Sequence, residues 1–212
     1  MKLEGIRAAF LGDSITEGVG VPSEEFAYWR VLGRKFGLGR VSADGIGGTR
    51  IARQQTPTPE PNSKWDAFFA SRVENLDPDA DLVVVFGGTN DFGHGDAPIG
   101  KETDRTPDSF FGAVHDLCGK LLRRYPGAKI VFMTPLPRAE EERNGKTLAE
   151  YAEAIKTVCG GVGIPVFDLY RKSGICPAKE EDRIRFVPDG LHPNEAGAER
   201  IADLFGEYLL SL

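Results

Sequence analysis

The chain has 212 residues, enough to bury one substantial hydrophobic core, so a single domain spanning residues 1–212 is expected. Its content of 41% hydrophobic and 27% charged residues is typical of a globular enzyme or binding domain and excludes a low-complexity chain. The formal net charge of −6, with no cluster of Lys and Arg to offset it, argues against a nucleic-acid partner.

Cysteine usage and hydropathy bear on compartment and on metals. Cys118, Cys159 and Cys176 are odd in number, far apart in the chain and not in any Cys/His ligand spacing. This pattern predicts three unpaired thiols in a reducing compartment and no metal site. We find neither a signal-peptide pattern nor an apolar run of membrane-spanning length, so a cytoplasmic protein without a membrane span is expected. The oligomeric state is not indicated.

Short β-rich runs alternate with longer amphipathic stretches, which predicts a parallel sheet covered by helices on both faces. In chain order, the predicted strands are Ile6–Leu11, Arg40–Ala43, Asp81–Phe86, Lys129–Met133 and Pro165–Phe167. The predicted helices are Phe26–Phe36, Trp65–Asn75, Pro107–Arg124, Lys146–Gly160 and Pro193–Leu210, with Pro193 at the first helical position. Loops are predicted at Gln54–Ser63, Phe92–Thr106 and Ser173–Arg185. The fold class is therefore α/β, with five strands and a site beyond their carboxyl ends.

The first predicted strand delivers a serine in the run Gly12-Asp13-Ser14-Ile15-Thr16-Glu17-Gly18. A serine directly after a strand often caps the helix that follows. A serine hydroxyl also becomes a nucleophile when a base removes its proton. Ser14 is therefore a candidate nucleophile if a base and an acid lie nearby.

A candidate base and acid occur together near the C-terminus, in Pro188-Asp189-Gly190-Leu191-His192-Pro193-Asn194. In a turn leading into a helix, the three-residue spacing lets the Asp189 carboxylate reach the imidazole N–H of His192. The alternatives are that His192 only hydrogen-bonds locally and that Asp189 caps the last helix. Paired with Ser14, they predict a Ser14–His192–Asp189 catalytic triad.

Acyl transfer also needs hydrogen-bond donors for the developing oxyanion. The run Asp44-Gly45-Ile46-Gly47-Gly48-Thr49-Arg50 follows the second strand, and Gly88-Thr89-Asn90-Asp91 follows the third. The backbone N–H of Gly48, the side-chain amide of Asn90 and the N–H of Ser14 are the candidate donors. The glycines are also compatible with a tight turn, and Asn90 with an Asx motif.

Other polar and aromatic residues near these runs receive no catalytic role. We expect Asp13 and Asp91 to tie loops together. His94 is interpreted as a polar loop residue, with substrate contact as the alternative to test. His115 is expected to be structural or at the surface, and Trp65 to pack in the core or a loop rather than form a sugar platform.

Together, these four segments resemble the four blocks of the SGNH hydrolases, also called GDSL-type esterases, lipases and acylhydrolases. They occur in the order of the family and span nearly the whole chain, although Ile15 stands where the name-giving pattern has leucine. The resemblance implies a flavodoxin-like three-layer α/β/α sandwich and no cofactor. It also implies that Gly48 donates to the oxyanion, with Gly47 as the neighbouring alternative.

The resemblance further implies a metal-independent serine esterase that forms an acyl-enzyme on Ser14 and acts on small acyl esters, with O-acetylated carbohydrate first. A short-chain lipid esterase, a lysophospholipase or a thioesterase of the same fold is the alternative within the enzyme class. A catalytically silent binding module is the alternative of another class. A Gly-x-Ser-x-Gly nucleophile elbow is lacking around Ser14, which disfavours an α/β-hydrolase esterase.

Overall fold

The computed structural model describes all residues from 1 to 212. Its main sheet is built from β1 (Arg7–Gly12), β2 (Arg40–Gly45), β3 (Leu82–Phe86), β4 (Lys129–Met133) and β7 (Val166–Phe167). These five strands are parallel and stand in the order β2-β1-β3-β4-β7, which confirms the predicted five-stranded parallel sheet. A separate hairpin pairs β5 (Glu142–Arg143) with β6 (Lys146–Thr147).

Eight helices accompany the strands. They are α1 (Ser14–Glu17), α2 (Tyr28–Phe36), α3 (Thr89–His94), α4 (Phe110–Arg124), α5 (Leu148–Gly161), α6 (Leu169–Lys172), α7 (Glu180–Phe186) and α8 (Glu195–Ser211). None of them combines the length and the hydropathy that crossing a membrane would require.

The sheet separates two hydrophobic cores, which confirms the three-layer α/β/α architecture. On one face, Leu117 of α4 and Ile155 of α5 pack with Val83 of β3. On the other face, Leu32 of α2 and Phe205 of α8 pack in the second core. Every residue of β3 is buried, as predicted from its apolar run without alternation.

The strand order reverses direction between β1 and β3, which is where α/β folds of this type place their ligands. In the register of the sheet, Gly12 at the end of β1 pairs with Gly45 of β2 and with Phe86 of β3. The three strands therefore end level with one another. The segments that follow them leave from one edge of the sheet.

Two helices begin later than predicted because a polar side chain upstream caps each one. α4 begins at Phe110, since the Ser109 hydroxyl accepts a hydrogen bond from the backbone N–H of Gly112. α5 begins at Leu148, where Thr147 and Glu150 form a capping box. The predicted starts at residues 107 and 146 lie in the segments leading to these caps.

The last helix also begins two residues later than predicted. Its N-cap is Asn194, whose side chain accepts a hydrogen bond from the N–H of Gly197. Pro193 therefore precedes the cap and is not the first helical residue. Asp189 does not cap α8, and its carboxylate is engaged in its own turn.

The helix predicted over Trp65–Asn75 is wrong. The segment forms three short 3₁₀ turns, Ser63–Asp66, Phe69–Ser71 and Val73–Asn75. Long-range hydrogen bonds override the helical pattern, because the Asp66 carboxylate accepts from the N–H of Thr58 and the N–H of Phe69 donates to the carbonyl of Arg50. The extended backbone at Phe68 separates the first turn from the second.

Regular structure also forms in two of the predicted loops and in the segment between β4 and α5, for which no element was predicted. The end of α3 extends to His94, inside the predicted loop at 92–106, and α7 lies mostly inside the one at 173–185. The hairpin β5–β6 was not predicted, although Asn144 and Gly145 adopt the positive φ angles of 52° and 71° that a tight hairpin turn requires.

The three cysteines are free thiols in the folded chain. Cys118 on α4 and Cys159 on α5, which are distant in sequence, bring their buried sulfur atoms to 3.8 Å. Cys176 is only partly buried.

Candidate active site

Ser14 is the first residue of α1 and stands at the sheet edge, directly beyond β1. The cap of this helix is Asp13, whose Oδ1 accepts a hydrogen bond of 3.0 Å from the N–H of Ile15. The alternative that Ser14 itself caps the helix is therefore wrong, because Asp13 is the cap. The serine residue is only 7% exposed, and its hydroxyl is available to a partner from elsewhere in the chain.

That partner is His192. The Nε2 atom of His192 lies 2.9 Å from Oγ of Ser14, and its Nδ1 lies 2.6 Å from Oδ2 of Asp189. The other oxygen of Asp189 accepts hydrogen bonds from the N–H groups of Leu191 and His192, at 2.9 and 2.7 Å. The Asp189 carboxylate thus stabilises the turn with one oxygen and contacts the imidazole with the other. A spacing of three residues is therefore sufficient for Asp189 to reach His192.

The electrostatics of this series favour one tautomer of His192. Burial acts to raise the pKa of Asp189, but the hydrogen bonds from the side chain and backbone of His192 outweigh it and hold that pKa below its usual range. An ionised carboxylate accepts the Nδ1–H, so the lone pair of Nε2 faces the hydroxyl of Ser14. The arrangement is suited to withdrawing the hydroxyl proton.

The glycine segment after β2 lies beside Ser14. The N–H of Gly47 donates to Oε2 of Glu17 at 2.7 Å. The N–H of Gly48 has no partner among the hydrogen bonds of the protein, and its φ of 79° is in the left-handed region that favours glycine. Of the two glycines, Gly48 therefore has the backbone donor that is free for a ligand.

Asn90 follows β3 and is buried at the same edge. Its Nδ2 donates to the carbonyl oxygen of Thr49 at 2.9 Å, and its Oδ1 lies 3.2 Å from Nε2 of His94. One N–H of the amide remains for a ligand. The structure thus brings together the strand-end segments that hold Ser14, Gly48 and Asn90, with His192 joining them from the C-terminal part of the chain.

Arg72 organises this edge of the sheet and was not found from sequence. Its guanidinium is buried, and Nη2 donates to the carbonyl oxygen of Gly12 at 2.9 Å and to Oγ1 of Thr49 at 3.0 Å. Its Nη1 donates to Oδ1 of Asp44 at 3.0 Å. The arginine therefore ties the ends of β1 and β2 to the glycine segment. Nothing in the sequence distinguishes it from a surface arginine.

Asp91 ties loops together as expected, because its carboxylate accepts hydrogen bonds from the N–H groups of Ile51 and Ala52, at 3.0 and 2.8 Å. Asp13 instead only caps the helix that follows it, through the N–H of Ile15. Burial raises the pKa of Asp13 to about 7 and that of Asp91 to about 6. Neither carboxylate is hydrogen-bonded to Ser14 or His192.

His94 and Trp65 lie next to Asn90 and Gly48, and substrate contact by His94, the alternative raised from the sequence, remains a prediction. His94 contacts Asn90, and the ring centroids of His94 and Trp65 are 5.0 Å apart. His115 is elsewhere, with its Nε2 3.0 Å from the carbonyl oxygen of Glu102. No group of three or more His, Cys, Asp or Glu side chains is arranged to hold a metal ion.

The sequence profile of the GDSL-like lipase/acylhydrolase family matches residues 10–200. The chain therefore belongs to this family. The assignment confirms the resemblance drawn from the four segments.

Two relatives are named as acetylesterases. The rhamnogalacturonan acetylesterase RhgT of Bacillus subtilis (strain 168) is 31% identical over 137 residues, which cover 55% of this chain and 57% of the relative. The acetylxylan esterase of Xylanibacter ruminicola is 26% identical over 219 residues, covering 96% of this chain and 43% of the relative. The chain thus spans about half the length of the curated relatives it matches.

Solved structures share the whole fold. A protein of Lactobacillus plantarum superimposes with a TM-score of 0.85 at 29% identity, covering 98% of both chains. Because the similarity extends over nearly the full length of both chains, the two proteins share the three-layer α/β/α fold.

Proposed function

We propose that this chain is a serine esterase in which Ser14 is the nucleophile, His192 the general base and Asp189 the acid that orients the imidazole. The observation that carries the proposal is the series of hydrogen bonds from Ser14 Oγ through His192 to Asp189, at 2.9 and 2.6 Å. A serine hydroxyl paired with an imidazole that is itself held by a carboxylate is the arrangement that acyl transfer needs.

In the first half of the reaction, the Ser14 oxygen attacks the ester carbonyl carbon while His192 Nε2 takes the hydroxyl proton. The carbonyl oxygen becomes an oxyanion that accepts hydrogen bonds from the N–H of Gly48, the amide of Asn90 and the N–H of Ser14. The intermediate collapses, the bond to the alcohol oxygen breaks, and His192 returns the proton to the departing alcohol.

In the second half, water attacks the carbonyl carbon of the acyl-serine and gives its proton to His192. The bond to Ser14 Oγ then breaks, the serine regains a proton from His192, and the carboxylic acid leaves. The donors and the imidazole act in the same positions in both halves. No metal ion or organic cofactor enters either half of this proposed mechanism.

For the substrate, we propose small acyl esters, with O-acetyl groups on carbohydrate first. The acetylesterase names of the two relatives support this preference, at 31% and 26% identity. The partner is therefore a small-molecule ester, and we propose that residues 1–212 act as one catalytic domain. A lipid ester or a thioester as the preferred substrate is an outcome that the assays below distinguish.

The proposal is tested by hydrolysis of p-nitrophenyl acetate with the wild-type protein and Ser14→Ala. Loss of a triad member costs on the order of 10⁴–10⁶ in turnover, so Ser14→Ala should fall to the background rate. Hydrolysis that stays near the wild-type rate in Ser14→Ala would show that another group is the nucleophile. Unchanged activity after treatment with a chelator is also expected, because the mechanism uses no metal.

A serine-directed phosphonate separates the enzyme from a binding module. It should label Ser14 in the wild-type protein, and the adduct should be lost in His192→Ala. A silent binding module would not be labelled at all. A panel of acetylated xylo-oligosaccharides, acyl esters of increasing chain length and thioesters then ranks the substrates, with acetylated sugars expected to give the highest kcat/KM.

A further inference from the structure

The orientation of the Asn90 side-chain amide follows from its two partners. Its nitrogen lies 2.9 Å from the carbonyl oxygen of Thr49, which only accepts hydrogen bonds. The amide group that faces Thr49 must therefore be the donor, and Oδ1 must face His94, at 3.2 Å. Rotating the amide by half a turn would set two acceptor oxygens against each other.

This orientation fixes the proton on His94. Because Oδ1 of Asn90 is an acceptor only, Nε2 of His94 must carry a hydrogen and donate it. The atoms packed around the partly exposed ring, with Arg50, Arg138 and Arg143 nearby, lower the pKa of His94 to about 4. At neutral pH the ring is thus uncharged, with its single proton on Nε2.

Trp65 packs against both His94 and Gly48. Its ring lies 5.0 Å from that of His94, with an angle of 41° between the planes. Its indole also covers the α-carbon of Gly48 so closely that a methyl group there would overlap with the indole nitrogen. One aromatic side chain therefore contacts the residue that holds Asn90 and also the glycine whose N–H is free.

We propose that His94 is a positioning residue for ester hydrolysis. Its Nε2–H holds the Asn90 amide so that the second N–H of the amide faces the substrate carbonyl oxygen, and Trp65 keeps His94 and Gly48 in place. The inference rests on the proposed function, since it assigns a role in the same oxyanion site.

The physical reason lies in preorganisation. A donor stabilises an oxyanion most when it needs no reorientation during the reaction. Without His94, the amide of Asn90 loses the partner of its oxygen and can turn about its last side-chain bond. The second N–H then spends part of the time directed away from the carbonyl.

The loss of kcat expected on removing His94 has an upper limit, set by the loss of the Asn90 donor itself. Removing an oxyanion donor altogether costs about 10²–10³ in kcat, so a donor that is present but loosely held should cost less, about 10–100-fold. The uncharged carbonyl of the bound ester accepts a weaker hydrogen bond than the oxyanion. The loss should therefore fall on kcat and leave KM nearly unchanged.

The decisive experiment is a double-mutant cycle on p-nitrophenyl acetate hydrolysis with His94→Ala, Asn90→Ala and the double variant. His94→Ala should lower kcat about 10–100-fold in the wild-type background. In the Asn90→Ala background, the same substitution should change kcat by less than about twofold, because its target is gone. An equal loss in both backgrounds would overturn the proposal.

Two further variants separate positioning from mere packing. His94→Gln places an amide donor near the position of Nε2 and should recover most of kcat, whereas a packing role gives no such recovery. His115→Ala, a matched histidine deletion remote from the site, should leave kcat unchanged. A kcat for His94→Gln as low as that of His94→Ala would contradict the hydrogen bond from residue 94.

Nitrogen NMR of the imidazole gives a readout that does not depend on activity or on the stability of a variant. In the wild-type protein, His94 should show a proton on Nε2 and none on Nδ1 throughout the neutral range. A ring with its proton on Nδ1 and none on Nε2 would overturn the inference while leaving the proposed function intact. Failure of the proposed function would appear separately, as hydrolysis that persists in Ser14→Ala.

Discussion

The Nε2 atom of His192 lies 2.9 Å from Oγ of Ser14, although 178 positions separate the two residues in the chain. Gly20, which follows α1 and has a φ of 98°, allows the loop after α1 to lie close to the turn that holds His192. A side-chain carbon on Gly20 would lie 2.6 Å from the carbonyl oxygen of Pro193 and 3.0 Å from Cβ of His192. The N-terminal loop and the C-terminal turn thus pack directly against each other.

Gly20→Ala should therefore displace the His192 turn and lower kcat. Misplacement of a catalytic group by about 1 Å can cost about 10²-fold, which is the loss we expect. The matched control is Gly163→Ala, because Gly163 has a similar φ of 74° but open space around its α-carbon. Comparable kcat values for the two variants would contradict a specific effect on His192.

Asp189→Asn separates the folding role of this side chain from its effect on the imidazole. The remaining oxygen can still accept the N–H groups of Leu191 and His192, which the aspartate holds at 2.9 and 2.7 Å. The amide no longer selects the Nδ1–H tautomer, so kcat should fall by about 10⁴ while the melting temperature changes little. A loss below about tenfold would argue against Asp189 as the acid of the triad.

Glu17 is expected to affect kcat indirectly, by holding the glycine segment that contains Gly48. Its carboxylate accepts the N–H of Gly47 at 2.7 Å, next to the free N–H of Gly48. Glu17→Ala leaves that segment without its acceptor, and we expect kcat to fall about tenfold through misplacement of the Gly48 donor. Glu17→Gln keeps an oxygen acceptor and should retain most of the activity, so equal kcat values for the two variants would contradict this role.

The buried Asp13 predicts how stability depends on pH. Burial raises its pKa from 3.8 to about 7, so the folded state keeps a proton that the unfolded state releases over this interval. The stabilisation is fully present below about pH 4 and is lost as the pH rises to about 7, with a slope of up to about 1.4 kcal/mol per pH unit.

Asp13→Asn removes this titration while its oxygen can still accept the N–H of Ile15. Its free energy of unfolding, measured with denaturant from pH 4 to pH 8, should therefore decline less than that of the wild-type protein. Glu60→Gln, a substitution at an exposed carboxyl, is the control and should follow the wild-type curve. Parallel curves for Asp13→Asn and the wild type would rule out a raised pKa at this position.

The sheet and the residues at its edge were predictable because they follow from local patterns. A short apolar run followed by glycine and polar residues predicts a strand end, and level strand ends bring Ser14, Gly48 and Asn90 to one edge. The position of His192 beside Ser14 was predictable from its spacing to Asp189, because a serine nucleophile needs a base held by a carboxylate.

The parts that were missed depend on contacts between distant segments. Trp65–Asn75 has the composition of a helix, but Asp66 is held by Thr58 and the chain is folded into short turns. This folding presents Trp65 to His94 and buries Arg72 under the strand ends. No periodicity in the sequence encodes either contact.

The most direct measurement of the central claim is the location of the acyl group during turnover. The protein is mixed with excess p-nitrophenyl acetate, quenched in acid within the first turnovers, digested and analysed by mass spectrometry. The mechanism predicts one acetyl group on the peptide that contains Ser14, and none on that peptide in Ser14→Ala. An acetyl group trapped on another residue, with the Ser14 peptide unmodified during active hydrolysis, would contradict it.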